Sequence, residues 1–154
     1  MSRFEMKEGE PFDWKAFQKH MQFTDEELEA FKSHPKKGKS VEYLFNPKFR
    51  NKFLVVEVVE SKACGNGLRP GDRLYFAVCS SLDTKKGRDR WCSHALARIG
   101  LFADTLHNFF MQGLDPKEMY FDHFTCPDAG AKLGHGLVTF KAYVVDKSDL
   151  DKMG

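Results

Sequence analysis

No stretch of this chain stays apolar for long. None approaches the roughly 20 apolar residues that a membrane-spanning helix needs, so no membrane partner is expected. Excess charge of one sign is missing as well: 24 Lys and Arg stand against 22 Asp and Glu, a formal net charge of +2. That balance argues against nucleic-acid binding by bulk charge. The start, Met1 to Glu10, is polar and acidic; it has neither the apolar stretch of a signal peptide nor the Arg-rich character of a transit peptide. There is no repeat, no low-complexity linker and no Cys-x-x-Cys pair. Gly65-x-Gly67 lacks the third glycine and the following helix of a dinucleotide fingerprint. These absences predict a cytoplasmic protein, in which the 4 cysteines are thiols or metal ligands rather than disulfides.

What is present suits one globular core. The chain has 154 residues, 42% hydrophobic, with 15 Phe, enough to fill an interior of this size. The pattern changes near residue 50. Before it the signals are helical. Asp13 can cap a helix carrying Trp14, Phe17 and Met21. Thr24 to Glu27 has the form of a capping box, with Phe23 in the staple position against Leu28, and Pro35 ends that second helix. After residue 50 the order is strand, strand, long helix, strand, strand. Phe53 to Glu60 is a β-branched run, and Leu68 to Asp72 is a turn into a strand over Arg73 to Val78. Trp91 to Gln112 has helical period, with Leu96, Ile99, Ala103, Leu106 and Phe110 as its apolar stripe and Gly113 at its end. Met119 to Thr125 reads as a short strand, and Leu137 to Val145 alternates cleanly. The expected fold is α+β: a mainly antiparallel four-stranded sheet with one long helix packed on it, plus a short N-terminal helical hairpin. Residues 1–50 form the N-terminal helical extension, 51–146 the cysteine-containing α+β domain, and 147–154 a polar tail that frays.

Three cysteines fall at element ends: Cys64 after the first strand, Cys92 at the start of the long helix, Cys126 after the third strand. Three thiolates hold zinc or iron, with a fourth ligand from His, carboxylate or water. His94, His123 and His135 are the nearest candidates, and the Gly134-His135-Gly136 loop has the freedom to bring His135 in. Redox or nucleophilic use is an alternative, since exposed amides at a helix N-terminus favour the thiolate of Cys92. The wide gaps between the cysteines match no standard zinc or cluster motif, and buried cysteines acting as small hydrophobes satisfy the same spacing. Cys79 ends the second strand and reads as a core residue.

Other features are weaker. Lys36, Lys37, Lys39, Lys48, Arg50 and Lys52 stand against one acid, Glu42, with Tyr43, Phe45 and Phe49 interleaved; Lys85, Lys86, Arg88 and Arg90 form a second cluster. Such patches suit an anionic ligand or acidic partner, and a solvated surface equally. Asp104 and His107 share a helix face, the spacing of an oriented general base, with no nucleophile tied to them.

The pieces Cys64-Gly65-Asn66-Gly67, Gly71-Asp72, Cys92-Ser93-His94-Ala95-Leu96 and Cys126-Pro127-Asp128, in this order, resemble a small uncharacterised cysteine-containing domain family of bacteria and archaea, many of them anaerobes. Thr24 to Pro35 resembles the N-terminal extension of its longer members. The resemblance implies that Cys64, Cys92 and Cys126 belong together and gives Cys79 no counterpart. It supplies no activity. Many members carry Pro after the second cysteine, where this chain has Ser93. The expectation is a metal- or redox-centre-binding protein, with zinc, iron or an iron–sulfur centre held by Cys64, Cys92, Cys126 and His135. The alternative is a non-catalytic accessory subunit of a larger enzyme, with a protein partner or a second copy of itself and the cysteines structural.

Overall fold

The computed structural model describes residues 6, 9–77, 81–115, 118, 120–150, 152 and 153. The expected burial of Cys79 and the strand ends at Val78 and Met119 lie outside them. Helix α1 (Trp14–Met21) starts at Asp13, whose Oδ1 accepts the Ala16 amide at 2.9 Å. Helix α2 (Asp25–Ser33) carries the complete capping box: Thr24 Oγ1 accepts from the Glu27 amide at 3.2 Å, and Glu27 Oε2 accepts from the Thr24 amide at 2.8 Å. Two further helices, α3 (Lys37–Phe45) and the single turn α4 (Pro47–Arg50), extend the expected hairpin. Their polar, Lys-rich start hides them in the sequence; packing stabilises them instead. Val41 and Phe45 enter a small aromatic core, while Leu44 and Phe49 pack against the main one. At the centre of the small core is Phe17, 1% exposed, its ring 5.4 to 6.0 Å from those of Phe12, Trp14, Phe23, Phe31 and Phe45.

The sheet comprises β1 (Lys52–Lys62), β2 (Arg73–Ala77), β3 (His123–Thr125) and β4 (Leu137–Asp146) in the order β2-β1-β4-β3, every neighbouring pair antiparallel. Helix α5 (Ser93–Met111) covers one face. Its buried stripe is Ala95, Ile99, Ala103, Leu106 and Phe110; Leu96 is exposed, so the stripe begins one residue earlier than its larger side chains suggested. Ala95 is fully buried in the main core. The helix ends at Gly113, where φ is +73° and a Cβ would press on the Tyr43 ring.

The other sheet face is covered by the C-terminus. Lys147–Leu150 forms a short helix, α6, whose Leu150 is buried against Val55 and Tyr75, and Arg73 donates to the Met153 carbonyl at 3.0 Å. The expected frayed tail is thus pinned through Leu150. On this face Glu57 Oε2 accepts from Tyr143 Oη at 2.7 Å and Arg73 Nε at 3.1 Å. Burial opposes ionisation of Glu57, but the Tyr143 and Arg73 hydrogen bonds outweigh it and hold the carboxyl below its ordinary value of 4.5. A carboxyl depressed in the folded state stabilises fully above its unfolded value, and that stability is lost as pH falls through the folded one. Urea midpoints should therefore drop between pH 5 and pH 3, and the drop should shrink in Glu57→Gln; an identical pH dependence in the variant would remove Glu57 from the account.

Residues 81–90 run beside β2. The Asp83 amide donates to Tyr75 O at 2.8 Å, Ala77 N donates to Ser81 O at 2.9 Å, and Leu82 bridges Phe76. A Cβ at Gly87 would run into the Arg73 carbonyl, so the close approach needs glycine there. Several cations of the expected patches are structural. Lys52 is buried and paired with Asp146 at 3.2 Å, and the Arg50 guanidinium lies over the Phe45 ring at 5.3 Å.

Candidate functional site

The antiparallel register decides where the cysteines go. Lys62 pairs with Leu137 and Thr125 with Thr139, so the end of β1, the end of β3 and the start of β4 lie at one end of the sheet. Cys64, Cys126 and His135 leave the sheet there. Cys92, at the N-terminus of α5, reaches the same place. All four line one pocket of about 360 Å³, together with His94, Asp128, Asn66 and the apolar side chains Leu68, Ala95 and Val138. The volume lies within the roughly 300–1,000 Å³ of small-molecule sites.

Each sulfur is held differently. Cys92 is the N-cap of α5, and its Sγ accepts the Ala95 amide at 3.4 Å. Ser, Thr, Asp or Asn would cap better, so capping alone does not account for a cysteine. Cys126 is buried; its amide donates to Val138 O at 2.9 Å, and its Sγ accepts the Val138 amide at 3.3 Å, extending the β3–β4 ladder by one residue. Cys64 follows Ala63, a non-glycine residue at φ +54°, which turns the chain out of β1 at a cost of about 1–3 kcal/mol. Its carbonyl accepts the Gly67 amide at 3.0 Å.

Two residues without a role in the sequence reading organise the pocket. Asp128 Oδ1 accepts the amides of Gly130 and His135, both at 3.0 Å. Burial works against the Asp128 charge, but the amides of His135, Gly130 and Gly136 prevail and hold the carboxyl below its ordinary range. This bracket folds the loop that carries His135. Gly134 lies against the Asp128 carboxylate, and Gly136 against the carbonyls of Lys62 and Ala63, so close that a Cβ on either would collide. The Asp-x-Gly spacing is a turn signal that marks Asp128 in the sequence. The second is Arg88, read only as part of a basic cluster; its guanidinium donates into the Cys64 turn.

The remaining candidates lie elsewhere. His123 is on β3, its Nδ1 2.6 Å from Asp122 Oδ1, and does not line the pocket. Neither do Asp104 and His107. The pocket's donor set of sulfur and imidazole is of the type that zinc and iron take. Among the described residues, however, no three His, Cys, Asp or Glu groups are already placed to hold a metal ion. The donors share a pocket without forming a closed ligand shell. Among the described residues no helix is long and apolar enough to cross a membrane. No family model, curated protein or solved structure matches the chain.

Proposed function

We propose that this chain is a small metal- or redox-centre-binding protein whose site is the thiol pocket, with Cys64, Cys92 and Cys126 as sulfur ligands and His135 as the fourth. The observation that supports it is the convergence of three cysteines from three distant segments on one pocket that also holds two histidines. Backbone amides already donate to two of the sulfurs, and hydrogen bonds to sulfur are among the levers that tune iron–sulfur centres. An iron–sulfur centre would supply one-electron transfer, and zinc a structural tie. The protein's own part is to orient the thiols, and its apolar wall of Leu68, Ala95 and Val138 limits water.

Metal analysis of anaerobically purified protein tests this. Stoichiometric iron or zinc is expected, lost on triple Cys→Ser substitution. Serine at 92 retains an N-cap, so loss of metal in Cys92→Ser reports ligation rather than helix fraying. Metal-free wild-type protein that does not take up iron or zinc on reconstitution would sink the reading. A second reading, an accessory subunit, draws support from large apolar side chains left in solvent: Tyr120 is 89% exposed, Phe121 73% and Leu133 82%. Co-purification from the native host separates the two, and both hold if the centre sits in a subunit.

A further inference from the structure

We infer that Arg88 is a positioning residue of the thiol pocket, the strut that fixes Cys64 relative to Cys92. The inference rests on the metal-centre reading above. Cys64 sits on the turn 64–67 and Cys92 at the end of the segment 88–92, two pieces of chain that the sheet does not join. The Arg88 side chain joins them. Its four hydrogen bonds run from Nη2 to Asn66 O at 2.9 Å, from Nη1 to Gly67 O at 3.1 Å and Asp72 Oδ2 at 2.9 Å, and from Nε to Arg90 O at 2.8 Å. The first two hold the Cys64 turn, and the last holds the approach to Cys92. The backbone of Arg88 is anchored in turn: its amide donates to Arg73 O at 3.3 Å, and its carbonyl accepts from Trp91 Nε1 at 3.0 Å. Trp91 is half-buried against the main core, so the strut is fixed at its base.

The chemistry needs arginine. A guanidinium presents five donors in a planar fork, whereas an ammonium offers three from a single point on a flexible stem. Lysine keeps the charge opposite Asp72 and loses the simultaneous reach to Asn66, Gly67 and Arg90. The fork is committed to carbonyls and one carboxylate, which accounts for a cation beside the pocket that is not spent on a solvated patch.

The test is cobalt(II) titration of the reduced full-length chain under anaerobic conditions, in wild type, Arg88→Lys and Val144→Ala. Val144 is a buried core residue roughly 20 Å along β4 from Val138, so its variant lowers stability without touching the pocket. Wild type should give sulfur-to-cobalt charge-transfer bands. Arg88→Lys should weaken cobalt binding at least tenfold and shift or weaken those bands, and Val144→Ala should leave both unchanged. Bands of equal energy and affinity in wild type and Arg88→Lys overturn the role of Arg88 and leave the metal reading standing. Equal losses in Arg88→Lys and Val144→Ala reduce the effect to general destabilisation and overturn it too. No thiolate bands in wild type overturn a single-metal site at this pocket, and the inference falls with it.

Discussion

Gly136→Ala should destabilise the protein by about 1–3 kcal/mol, the usual cost of forcing extra atoms into a packed site, and should open the thiol pocket. The residue is buried where the start of β4 meets the end of β1, and an added Cβ would overlap the backbone carbonyls of Lys62 and Ala63. Neither carbonyl belongs to a flexible side chain, so relief requires the two chain segments to part. Cys64 follows one of them and His135 precedes the other, and both line the pocket. Iodoacetamide labelling followed by peptide mass spectrometry reads the result: buried Cys126 should become several-fold faster to alkylate, and Cys64 should change with it. Unchanged alkylation together with an unchanged urea midpoint would mean that the junction relaxes at no cost to the pocket.

Phe17→Ala should cost about 3–5 kcal/mol, the range for emptying a buried aromatic site. Against a total of about 5–15 kcal/mol for a typical domain, that is a large fraction. Its effect should be uneven. Phe17 belongs to the small aromatic core of α1–α3, whereas β1 and β4 are held by the main one. Amide exchange in residues 14–45 should therefore accelerate well before that of β1 and β4. Uniform acceleration would show the two cores to be one cooperative unit.

The sequence pattern reached the sheet and the long helix because their signals are local. The β-branched run Phe53 to Glu60, the alternation in β4 and the reciprocal cap at Thr24 and Glu27 each need only neighbours along the chain. What it missed depends on partners far away. Helix α3 divides its apolar residues between two cores, Val41 and Phe45 to one and Leu44 to the other, so no single stripe announces it. The stripe of α5 keeps its expected phase at Ile99, Ala103, Leu106 and Phe110, and differs only at its start, where Ala95 is buried and the more hydrophobic Leu96 is exposed. Three cysteines at element ends were visible. Cys64 and Cys126 meet through the β1–β4–β3 register, and Cys92 joins them from the N-terminus of α5, neither of which spacing encodes. His123, nearer to Cys126 in sequence than His135 is, points to Asp122 instead. Arg88 was counted as a charge, and its hydrogen bonds show that its shape matters more.

The segment 81–90 along β2 has a consequence for self-association. An uncovered strand is a template for adding a strand from another chain and, repeated, for aggregation. On one margin of this sheet, peptide groups of β2 are already taken by Asp83, Ser81 and Arg88. On the other, β3 is only three residues long, too short to seed a ladder. The molecule is thereby guarded against fibril-like stacking on both sides. Any assembly it enters should be built from side-chain surfaces rather than by continuing the sheet.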